Sequence, residues 1–592
     1  MLETIALLFP SAFFSVVRKA LGRESEHPLF EWAISVVAVN VVALATVCYV
    51  FGHPVGVGQL LNQSTVFWMK YVLLSSGLSS SAGLLSVWAE KNVTLSITPP
   101  NISSSSLRVA AIVISVAFAS LQLIRIFNYD FWWDESFSVN LARMSLQDML
   151  NRTASDVHPP LYYLILMTAV SLLGDTGWVY NFVSLIPYIA TIVLALTIVW
   201  KQFGGSAAMV FVACTTFMNS ALRYSLEVRM YSWAALFMLI AYLSLFQILR
   251  KDRALDWTVF CLASLAASYT HYYALLLVAF LYCGIIVLAL IHRVNGKRVI
   301  LSCVATAAGY APWLTVLFGT FKRTSESFWM TSIPTFEEAV RWLFDIGNGA
   351  GGTSTLIIAA FVLGLVLTVS VRTSLLRVSR AERRWVVNVS GGHAEMDATT
   401  IWILVGAGSV LAVILTGLVV SELVRPLFTL RYLYPAAVLV WLLLGVFVSQ
   451  FSARRTIALV LVLLMLHAGI PAYLELVKQD EEIQQQQSQT INELSDIKEG
   501  DLLFSDDQSL YLAILEAYFP GTEVQRLDDI SILSQQSEKC LWLILSSDLS
   551  EEQIEEIASS GYETIEVCHG GDLGRATIHA YRLDAVKGGD TQ

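Results

Sequence analysis

The residues best suited to chemistry lie in one stretch, 128–163, where the chain leaves an apolar segment and later enters another. Two adjacent acids, Asp134 and Glu135, follow a pair of tryptophans, and Asp156 and His158 precede a pair of prolines. Placing an ionisable group beside a bilayer costs desolvation free energy unless the group is solvated there or has a function. Such groups therefore indicate a site. A carboxylate here can act as a general base or anchor a donor or a metal, and a histidine can bind phosphate, ligate a metal or transfer a proton. The structural alternatives are a helix-end cap for the acids and an interface residue for the histidine.

The composition places this stretch in a membrane protein. The chain has 592 residues, of which 56% are hydrophobic and 14% are charged, whereas soluble proteins carry about a quarter charged residues. The net charge of −10 reflects acids that concentrate in the polar C-terminal part, while Lys and Arg cluster in short loops between apolar runs. The composition therefore predicts a polytopic α-helical membrane protein and indicates no nucleic-acid partner.

The apolar stretches predict where the chain crosses the bilayer. A crossing helix needs about 20 apolar residues, or somewhat fewer where the membrane is thin. With the short apolar run 4–17 included, we predict about 13 to 14 transmembrane helices. The longer predicted spans are 30–51, 66–88, 107–128, 178–200, 207–222, 232–249, 256–270, 272–291, 299–319, 355–371, 400–419, 434–450 and 456–474.

The basic loops orient these spans, because Lys and Arg favour the cytoplasmic side. When the crossings are counted from the basic loops, the apolar segment 161–173 cannot cross the membrane. Its 13 residues are also too few to span a bilayer. We predict a helix that lies at the membrane and is capped by Pro159 and Pro160. The basic loops are 250–253, 292–298, 372–384 and 454–455. The same count places five polar segments on one extracytoplasmic face, namely 129–160, 223–231, 269–273, 320–354 and 421–435.

The C-terminal part reads as a separate soluble domain. A Gln-rich connector, 484–489, is followed by alternating strand and helix patterns, which predict a small α/β domain outside the cytoplasm. The predicted strands are 501–504, 523–527, 541–545, 562–567 and 576–582, with helices near 508–518 and 549–559. The predicted domains are an N-terminal membrane appendage (1–100), a transmembrane core (101–474) whose first outer loop is 129–177, and the extracytoplasmic domain (475–592).

Three of the outer segments carry basic residues on the side where they are disfavoured. These residues are Arg223 and Arg229, Lys322 and Arg323, and Arg425 and Arg431. Ion pairing, for example with Glu227, is one explanation, and an anionic ligand is the other. Basic residues in three loops favour a lipid phosphate or diphosphate, because Arg binds phosphate oxygens in a bidentate manner.

Six short motifs follow one another along the chain in a recognisable order. They are W-D-E-S (133–136), H-P-P-L-Y-Y (158–163), Y-S-L-E-V-R-M-Y (224–231), T-H-Y-Y (270–273), A-P-W (311–313) and R-Y-L-Y-P (431–435). In order and sidedness the set resembles the polyprenyl-phosphate-sugar-dependent membrane glycosyltransferases of the GT-C fold. That family includes protein O-mannosyltransferases and lipid A aminoarabinose transferases. The resemblance covers residues 107–474.

The resemblance implies roles for individual residues. In that family an acid of the first outer loop acts at the acceptor, which gives this catalytic role to Asp134, with Glu135 beside it. Basic and aromatic residues of the outer loops hold the lipid phosphate, and here these are His158, Arg229, Tyr231 and Arg431. The expected substrate-binding set is completed by Asp156, Tyr163, Glu227 and His271.

The resemblance also implies a reaction. We expect inverting transfer of a monosaccharide, most often mannose in this family, from a dolichyl or undecaprenyl phosphate to an extracytoplasmic glycan, lipid or protein. The scheme requires no cofactor, and the sequence shows no convincing set of metal ligands. The expected location is the cell membrane, in contact with its lipids. The alternatives from other classes are a transporter or lipid-linked-sugar flippase, and a catalytically inactive scaffold.

Overall fold

A computed structural model describes residues 103–128, 130–326, 330–347, 351–372, 377–381, 384–388, 397–451, 454–535 and 540–586. The chain divides into two compact units, Met1–Pro100 and Asn101–Gln592. The described elements belong to the second unit. The predicted spans 30–51 and 66–88, together with the predicted appendage 1–100, lie outside the described residues.

Helices dominate the apolar part of the chain, as the composition predicts. In chain order they are α1 (Ser104–Arg125), α2 (Trp133–Arg143), α3 (Leu146–Ala154), α4 (Leu161–Leu173), α5 (Gly177–Phe203), α6 (Gly205–Phe217), α7 (Asn219–Tyr224), α8 (Tyr231–Lys251), α9 (Ala254–Ser268), α10 (Tyr272–Leu290), α11 (Gly296–Tyr310), α12 (Leu314–Glu326), α13 (Phe336–Leu343), α14 (Gly351–Arg372), α15 (Ala398–Leu423), α16 (Tyr434–Ser449) and α17 (Arg454–Glu493). A two-stranded antiparallel ribbon, β1 (Arg377–Ala381) and β2 (Arg384–Asn388), precedes α15.

Eight apolar segments among the described residues are long enough to cross a membrane. This confirms the polytopic class, while the predicted total number of crossings stays a prediction. The helices α6, α9 and α14 contain shorter apolar stretches and correspond to the predicted spans 207–222, 256–270 and 355–371. The spanning candidates are α1, α5, α8, α10, the segment Gly296–Glu326, α15, the segment Leu430–Ser449 and α17.

The helix predicted to lie at the membrane is present as α4. It has 13 residues, and Pro160 is its N-terminal cap residue. The backbone N–H of Leu161 donates to the carbonyl oxygen of Tyr269 at 3.0 Å, which fixes the start of α4 against the outer end of α9. At about 1.5 Å per residue the helix is shorter than the hydrocarbon core of a bilayer. Its placement at the membrane surface stays a prediction.

The centre of the membrane region is built on two buried helices, α6 and α16. The residues of α6 from Ser206 to Phe217 are all buried, and so are those of α16 from Tyr434 to Val448. The two helices approach closely because Gly445 carries no side chain. A Cβ at this position would lie 2.4 Å from the carbonyl oxygen of Ala207. Small residues at a helix crossing are the usual means of close approach in membranes.

The Gln-rich connector is part of a long helix. The helix α17 runs for 40 residues, and 484–489 lies within it. Glutamine has a good helix propensity, so the helix continues out of its apolar part without interruption. Gln487 and Thr490 are buried near its end, and Thr490 Oγ1 accepts a hydrogen bond from the backbone N–H of Asp572 at 2.9 Å. The connector therefore joins the membrane region to the C-terminal domain as a rigid element.

The C-terminal part folds as a small α/β domain, as predicted. Its sheet has the strand order β4-β3-β5-β7-β6, with β4, β3 and β5 parallel and β7 antiparallel to both β5 and β6. Apolar residues are buried on both faces of the sheet. The elements are β3 (Leu502–Ser505), a π-helical turn (Leu510–Ile514) continued by α18 (Leu515–Tyr518), β4 (Glu523–Arg526), β5 (Leu541–Leu545), α19 (Glu551–Ser559), β6 (Tyr562–Leu573) and β7 (Ala576–Ala585).

The last two strands are longer than the sequence pattern predicts. They were expected at 562–567 and 576–582, whereas β6 extends to Leu573 and β7 to Ala585. A two-residue turn, Gly574 and Arg575, joins them, and both residues have positive φ angles of 58° and 65°. This combination suits a type I′ turn, which matches the twist of a hairpin. The hairpin therefore projects further from the sheet than expected.

Replacing Gly445 with alanine is expected to destabilise the membrane core by about 1–3 kcal/mol, the usual cost of overpacking. The added methyl group would force α6 and α16 apart at the carbonyl of Ala207. The measurement is the apparent melting temperature of the purified chain in detergent. Gly408→Ala is the matched control, because a Cβ at Gly408 meets nothing within 4 Å. Equal melting temperatures for the two variants would contradict the close approach.

Candidate active site

The two predicted catalytic acids lie in the first turn of α2, and both are buried. The N-terminal end of a helix favours negative charge, which explains their position locally. Asp134 Oδ2 accepts a hydrogen bond from Arg431 NH1 at 2.8 Å, in an ion pair. Glu135 Oε1 instead accepts from the backbone N–H of Val228 at 2.7 Å. The two neighbours therefore face different surroundings.

A second arginine holds the backbone of the same turn. Arg229 is 3% exposed, and its NH1 donates to the carbonyl oxygen of Asp134 at 2.8 Å and to Ser138 Oγ at 3.2 Å. The guanidinium of Arg431 lies 5.7 Å from the ring centroid of Trp132. Two arginines and one carboxylate thus form a cluster, which we call the charged cluster: Asp134 and Arg229, which are buried, and Arg431, which is half-buried.

Three of the other basic residues that are predicted to face outward have structural contacts. Arg223 forms an ion pair with Glu227, with Nε to Oε2 at 3.1 Å. Arg323 NH2 donates to the carbonyl oxygen of Ala154 at 2.9 Å, and Arg425 NH1 to that of Glu326 at 2.7 Å. These contacts tie outer segments to one another. Internal pairing therefore accounts for Arg223, whereas Arg229 and Arg431 belong to the charged cluster.

An apolar cavity of about 460 Å³ opens beside the charged cluster. Its walls come from α10, α12 and α15, which include Leu276, Phe321 and Val420. Its polar end is formed by His158, His271 and Tyr432. The ring centroids of His271 and Tyr432 lie 5.1 Å apart, and those of His158 and His271 lie 5.5 Å apart. The cavity is thus apolar between membrane helices and ends in hydrogen-bonding groups.

The pKa values of the two histidines at this end are lowered, which favours their neutral forms. Burial, assisted by the positive charges of Arg229 and Arg431, lowers the pKa of His271 to about 3. Burial and the charge of Arg229 lower the pKa of His158 well below its usual value. The Nδ1 of His271 accepts a hydrogen bond from the backbone N–H of Tyr273 at 3.1 Å. Because Nδ1 is an acceptor, the proton of the neutral ring lies on Nε2, which can donate to a ligand.

A polar cavity of about 270 Å³ borders α2 through Glu135. Glu135 and Glu227 line it, together with five amide side chains and three arginines. Burial raises the pKa of Glu135 well above its usual value, and the negative charges of Glu227 and Asp130 raise it further. The amides are Asn128, Asn181, Asn219, Gln479 and Gln484, and the arginines are Arg125, Arg223 and Arg575.

Several buried polar atoms near the charged cluster have no hydrogen-bond partner among the residues that the structure describes. Unsatisfied buried polar groups are costly in a folded protein and need an explanation. The Nε of Arg229 has no acceptor among the described residues, and neither has the hydroxyl of Tyr163. The ring of Tyr163 packs edge-on against Phe137, with ring centroids 6.5 Å apart. A polar ligand in this region would satisfy them. The atoms are Asp156 Oδ2, Tyr163 Oη, Arg229 Nε, Tyr231 Oη and His271 Nε2.

The predicted site residues thus come together at one end of the helical region. Asp134, Arg229 and Arg431 form the charged cluster, and His158 and His271 close the apolar cavity. Tyr231 packs against His271, with ring centroids 5.6 Å apart. Asp156 is half-buried near Arg229, whose charge opposes the rise that burial causes in the pKa of Asp156. Glu135 and Glu227 line the polar cavity.

Sequence reasoning missed Tyr432 and Arg575. Tyr432 follows Arg431 directly in the R-Y-L-Y-P motif, so the motif itself carried the signal. Arg575 lies at the tip of the β6–β7 hairpin, and its guanidinium binds the carboxylate of Asp130 through two hydrogen bonds of 2.8 and 3.0 Å. Tyr518 accepts a hydrogen bond from the backbone N–H of Phe131. The C-terminal domain therefore holds the segment that enters α2.

The fold has solved counterparts. A scan of protein-family models finds no match, and neither does a comparison with curated proteins. The apo structure of ArnT from Cupriavidus metallidurans matches with a TM-score of 0.53 at 12% identity, covering 80% of this chain and 98% of ArnT. The structure of the same protein bound to undecaprenyl phosphate matches with a TM-score of 0.55, the same identity and the same coverage.

These comparisons define the class of fold. The chain has the GT-C fold in the form that ArnT, a lipid A aminoarabinose transferase, also has. The 80% of the chain that the ArnT match covers is a larger part than residues 107–474. The structural similarity therefore extends beyond the part of the sequence that carries the motifs. At 12% identity the likeness concerns the fold alone.

Acidification is expected to destabilise the protein partly through His271. Its pKa is about 3 in the folded chain and about 6.5 in an unfolded chain. Below pH 6.5 the unfolded state therefore takes up a proton that the folded state does not bind. The stabilisation is present above about pH 6.5 and is lost as the pH falls towards 3.

The measurement is the apparent melting temperature in detergent between pH 7.5 and 5. His271→Asn keeps a side-chain acceptor for the start of α10 and removes the titrating group, so its melting temperature should fall less steeply than that of the wild type. His292→Asn, which changes an exposed histidine, should keep the wild-type slope. Equal slopes for all three proteins would contradict the buried neutral state of His271.

Proposed function

We propose that this chain transfers a sugar from a polyprenyl phosphate to an acceptor outside the cytoplasm. One observation carries the proposal: the residues next to the ion pair of Asp134 and Arg431 line two different cavities, Tyr432 an apolar cavity formed by membrane helices and Glu135 a polar cavity. A lipid-linked donor needs an apolar path for its tail and cations for its phosphate, whereas a hydrophilic acceptor needs a polar entrance. The arrangement meets the three requirements within one site.

The donor phosphate would bind at the polar end of the apolar cavity. Arg431 and Arg229 can neutralise it, and the Nε2–H of His271 can donate to one of its oxygens. The prenyl chain would follow the cavity between α10, α12 and α15. The ArnT structure with bound undecaprenyl phosphate supports a polyprenyl phosphate as the ligand class for this fold. Because the histidines are neutral, the arginines supply the positive charge.

The chemistry would be a direct displacement at the anomeric carbon. Asp134 would take the proton of an acceptor hydroxyl, whose oxygen attacks the anomeric carbon while the bond to the phosphate oxygen breaks. The polyprenyl phosphate leaves as an anion, which the arginines stabilise. A single displacement inverts the configuration of that carbon. Phosphate binding would also draw Arg431 from Asp134 and leave the carboxylate available as the base.

The acceptor would enter through the polar cavity. Amide and carboxylate side chains dominate its lining, and such groups pair well with the hydroxyls of a carbohydrate. We therefore favour a glycan over a lipid or a protein as the acceptor. Mannose is the proposed donor sugar, on the strength of the sequence resemblance. The basic loops at the opposite helix ends favour an extracytoplasmic site in the cell membrane.

Asp134→Asn is expected to lower sugar transfer by about 10²–10⁴-fold, the usual contribution of a general base. The measurement is the transfer of radiolabelled mannose from polyprenyl phosphate to cell-envelope glycans by purified protein in liposomes. Asp148→Asn is the control, because Asp148 is an exposed acid of the same outer segment. If Asp134→Asn kept full activity, Asp134 would not be the general base, and this mechanism would be wrong.

The same preparation separates the rival functions. A transporter or flippase would move the labelled lipid across the liposome membrane without labelling an acceptor, and a scaffold would do neither. Transporters place ionisable groups near the middle of the membrane, whereas Asp134 and Arg431 lie at the ends of helices. Label that crosses the membrane but never reaches an acceptor would establish the transporter instead.

Ala279→Trp is expected to raise the KM for an undecaprenyl-phosphate donor about tenfold, or about 1.4 kcal/mol. The indole would occupy the apolar cavity that Ala279 lines. A donor with a short prenyl chain should be affected much less, because it does not reach that position. Leu290→Trp, on the exposed far end of the same helix, is the control. An equal rise for long and short donors would exclude this cavity as the path of the tail.

A further inference from the structure

A cluster of histidines and acids lies in the C-terminal domain, apart from the candidate active site. His569 on β6 and His579 on β7 are directly opposite each other in the antiparallel pair. Asp548 follows the end of β5. Its Oδ1 lies 2.6 Å from His579 Nδ1 and 3.2 Å from His569 Nδ1. Glu566 Oε1 lies 2.9 Å from His569 Nδ1.

The contacts of this cluster converge on one oxygen of Asp548. The hydroxyl of Tyr581 donates to Asp548 Oδ1 at 2.9 Å, so three groups crowd one oxygen that has two lone pairs. The Nδ1 of His579 is buried and lies 2.6 Å from the same oxygen. Two imidazole nitrogens and a carboxylate oxygen gathered in this way are the ligand types of a transition-metal site.

We propose that Asp548, His569 and His579 form a binding site for a first-row transition-metal ion of the Zn²⁺ type. One atom from each residue lies within 4.8 Å of the others. Bonds of about 2.0–2.1 Å in a tetrahedral site place neighbouring ligand atoms about 3.3 Å apart. The 3.2 Å separation already fits, and the 2.6 Å separation needs Asp548 to move by less than about 1 Å.

The ligand types determine which metals the site accepts. Two imidazole nitrogens favour Zn²⁺ and its neighbours over Mg²⁺ and Ca²⁺, which prefer oxygen ligands. Water or Glu566 would complete a four-coordinate shell. In the ion pairs of residues 540–586, Asp548 and Glu566 pair with these histidines and not with Lys or Arg. The negative charge of the carboxylates is therefore available to a divalent cation.

A metal here would stiffen the hairpin that reaches the active site. The ligands His569 and His579 belong to β6 and β7, and the turn between these strands carries Arg575. Arg575 in turn binds Asp130 at the entrance to α2. The metal site is nevertheless a binding property of the domain and does not require the proposed transfer reaction.

The test is metal binding by the full chain in detergent, stripped with EDTA and free of any polyhistidine tag. Equilibrium dialysis should find one Zn²⁺ per chain, and Co²⁺ should give the absorption of a tetrahedral site. His569→Ala and Asp548→Asn should each weaken Zn²⁺ binding by at least about 100-fold. A large excess of Mg²⁺ should not displace the ion.

Two control variants leave the proposed ligands intact. Glu563→Gln changes an exposed acid on β6, the strand that carries His569. His292→Asn removes an exposed histidine outside the C-terminal domain. Both should bind like the wild type. Metal-free His569→Ala should melt like the metal-free wild type, because His569 is exposed. The proposal is overturned if the wild type binds no Zn²⁺ at micromolar concentrations, or if the ligand variants bind as tightly as the controls.

Discussion

The ion pair between Asp134 and Arg431 is the contact on which the architecture of the site depends. It joins residues 297 positions apart in the chain, and the side chains are 8% and 21% exposed. A buried charge without its partner costs several kcal/mol, so each of the two residues requires the other. Arg229 adds a second cation by holding the backbone of Asp134. These two contacts hold three parts of the chain together: the segment that contains α2, the turn before α8 and the start of α16.

The electrostatics of the site rest on arginine rather than histidine. The pKa values of His158 and His271 are lowered by burial and by the neighbouring arginines, so these rings act as neutral hydrogen-bonding groups. Arginine keeps its charge at any physiological pH and can face two phosphate oxygens at once.

Local patterns predicted much of this fold, and long-range contacts supplied the rest. The length of Leu161–Leu173 and the paired prolines were sufficient to predict α4, and the motifs named residues that the fold gathers at one end of the helices. The contact of Arg575 with Asp130 spans 445 positions and has no local signature. The Gln-rich segment carried an ambiguous signal, since the same residues suit a solvated linker and an exposed helix. The roles assigned to the site residues stay predictions.

The helix α17 fixes how far the C-terminal domain is rotated about the helix axis relative to the membrane helices. Its 40 residues, Pro471 among them, make a helix of about 60 Å that begins among the membrane helices and whose end contacts β6. Each residue of a helix advances the rotation by about 100°. One residue more or fewer in 484–489 would turn the domain by that angle and carry Arg575 away from Asp130. The number of residues in this segment is thus constrained, in addition to individual side chains such as Gln487, which is buried and accepts a hydrogen bond from the hydroxyl of Tyr518 at 3.0 Å.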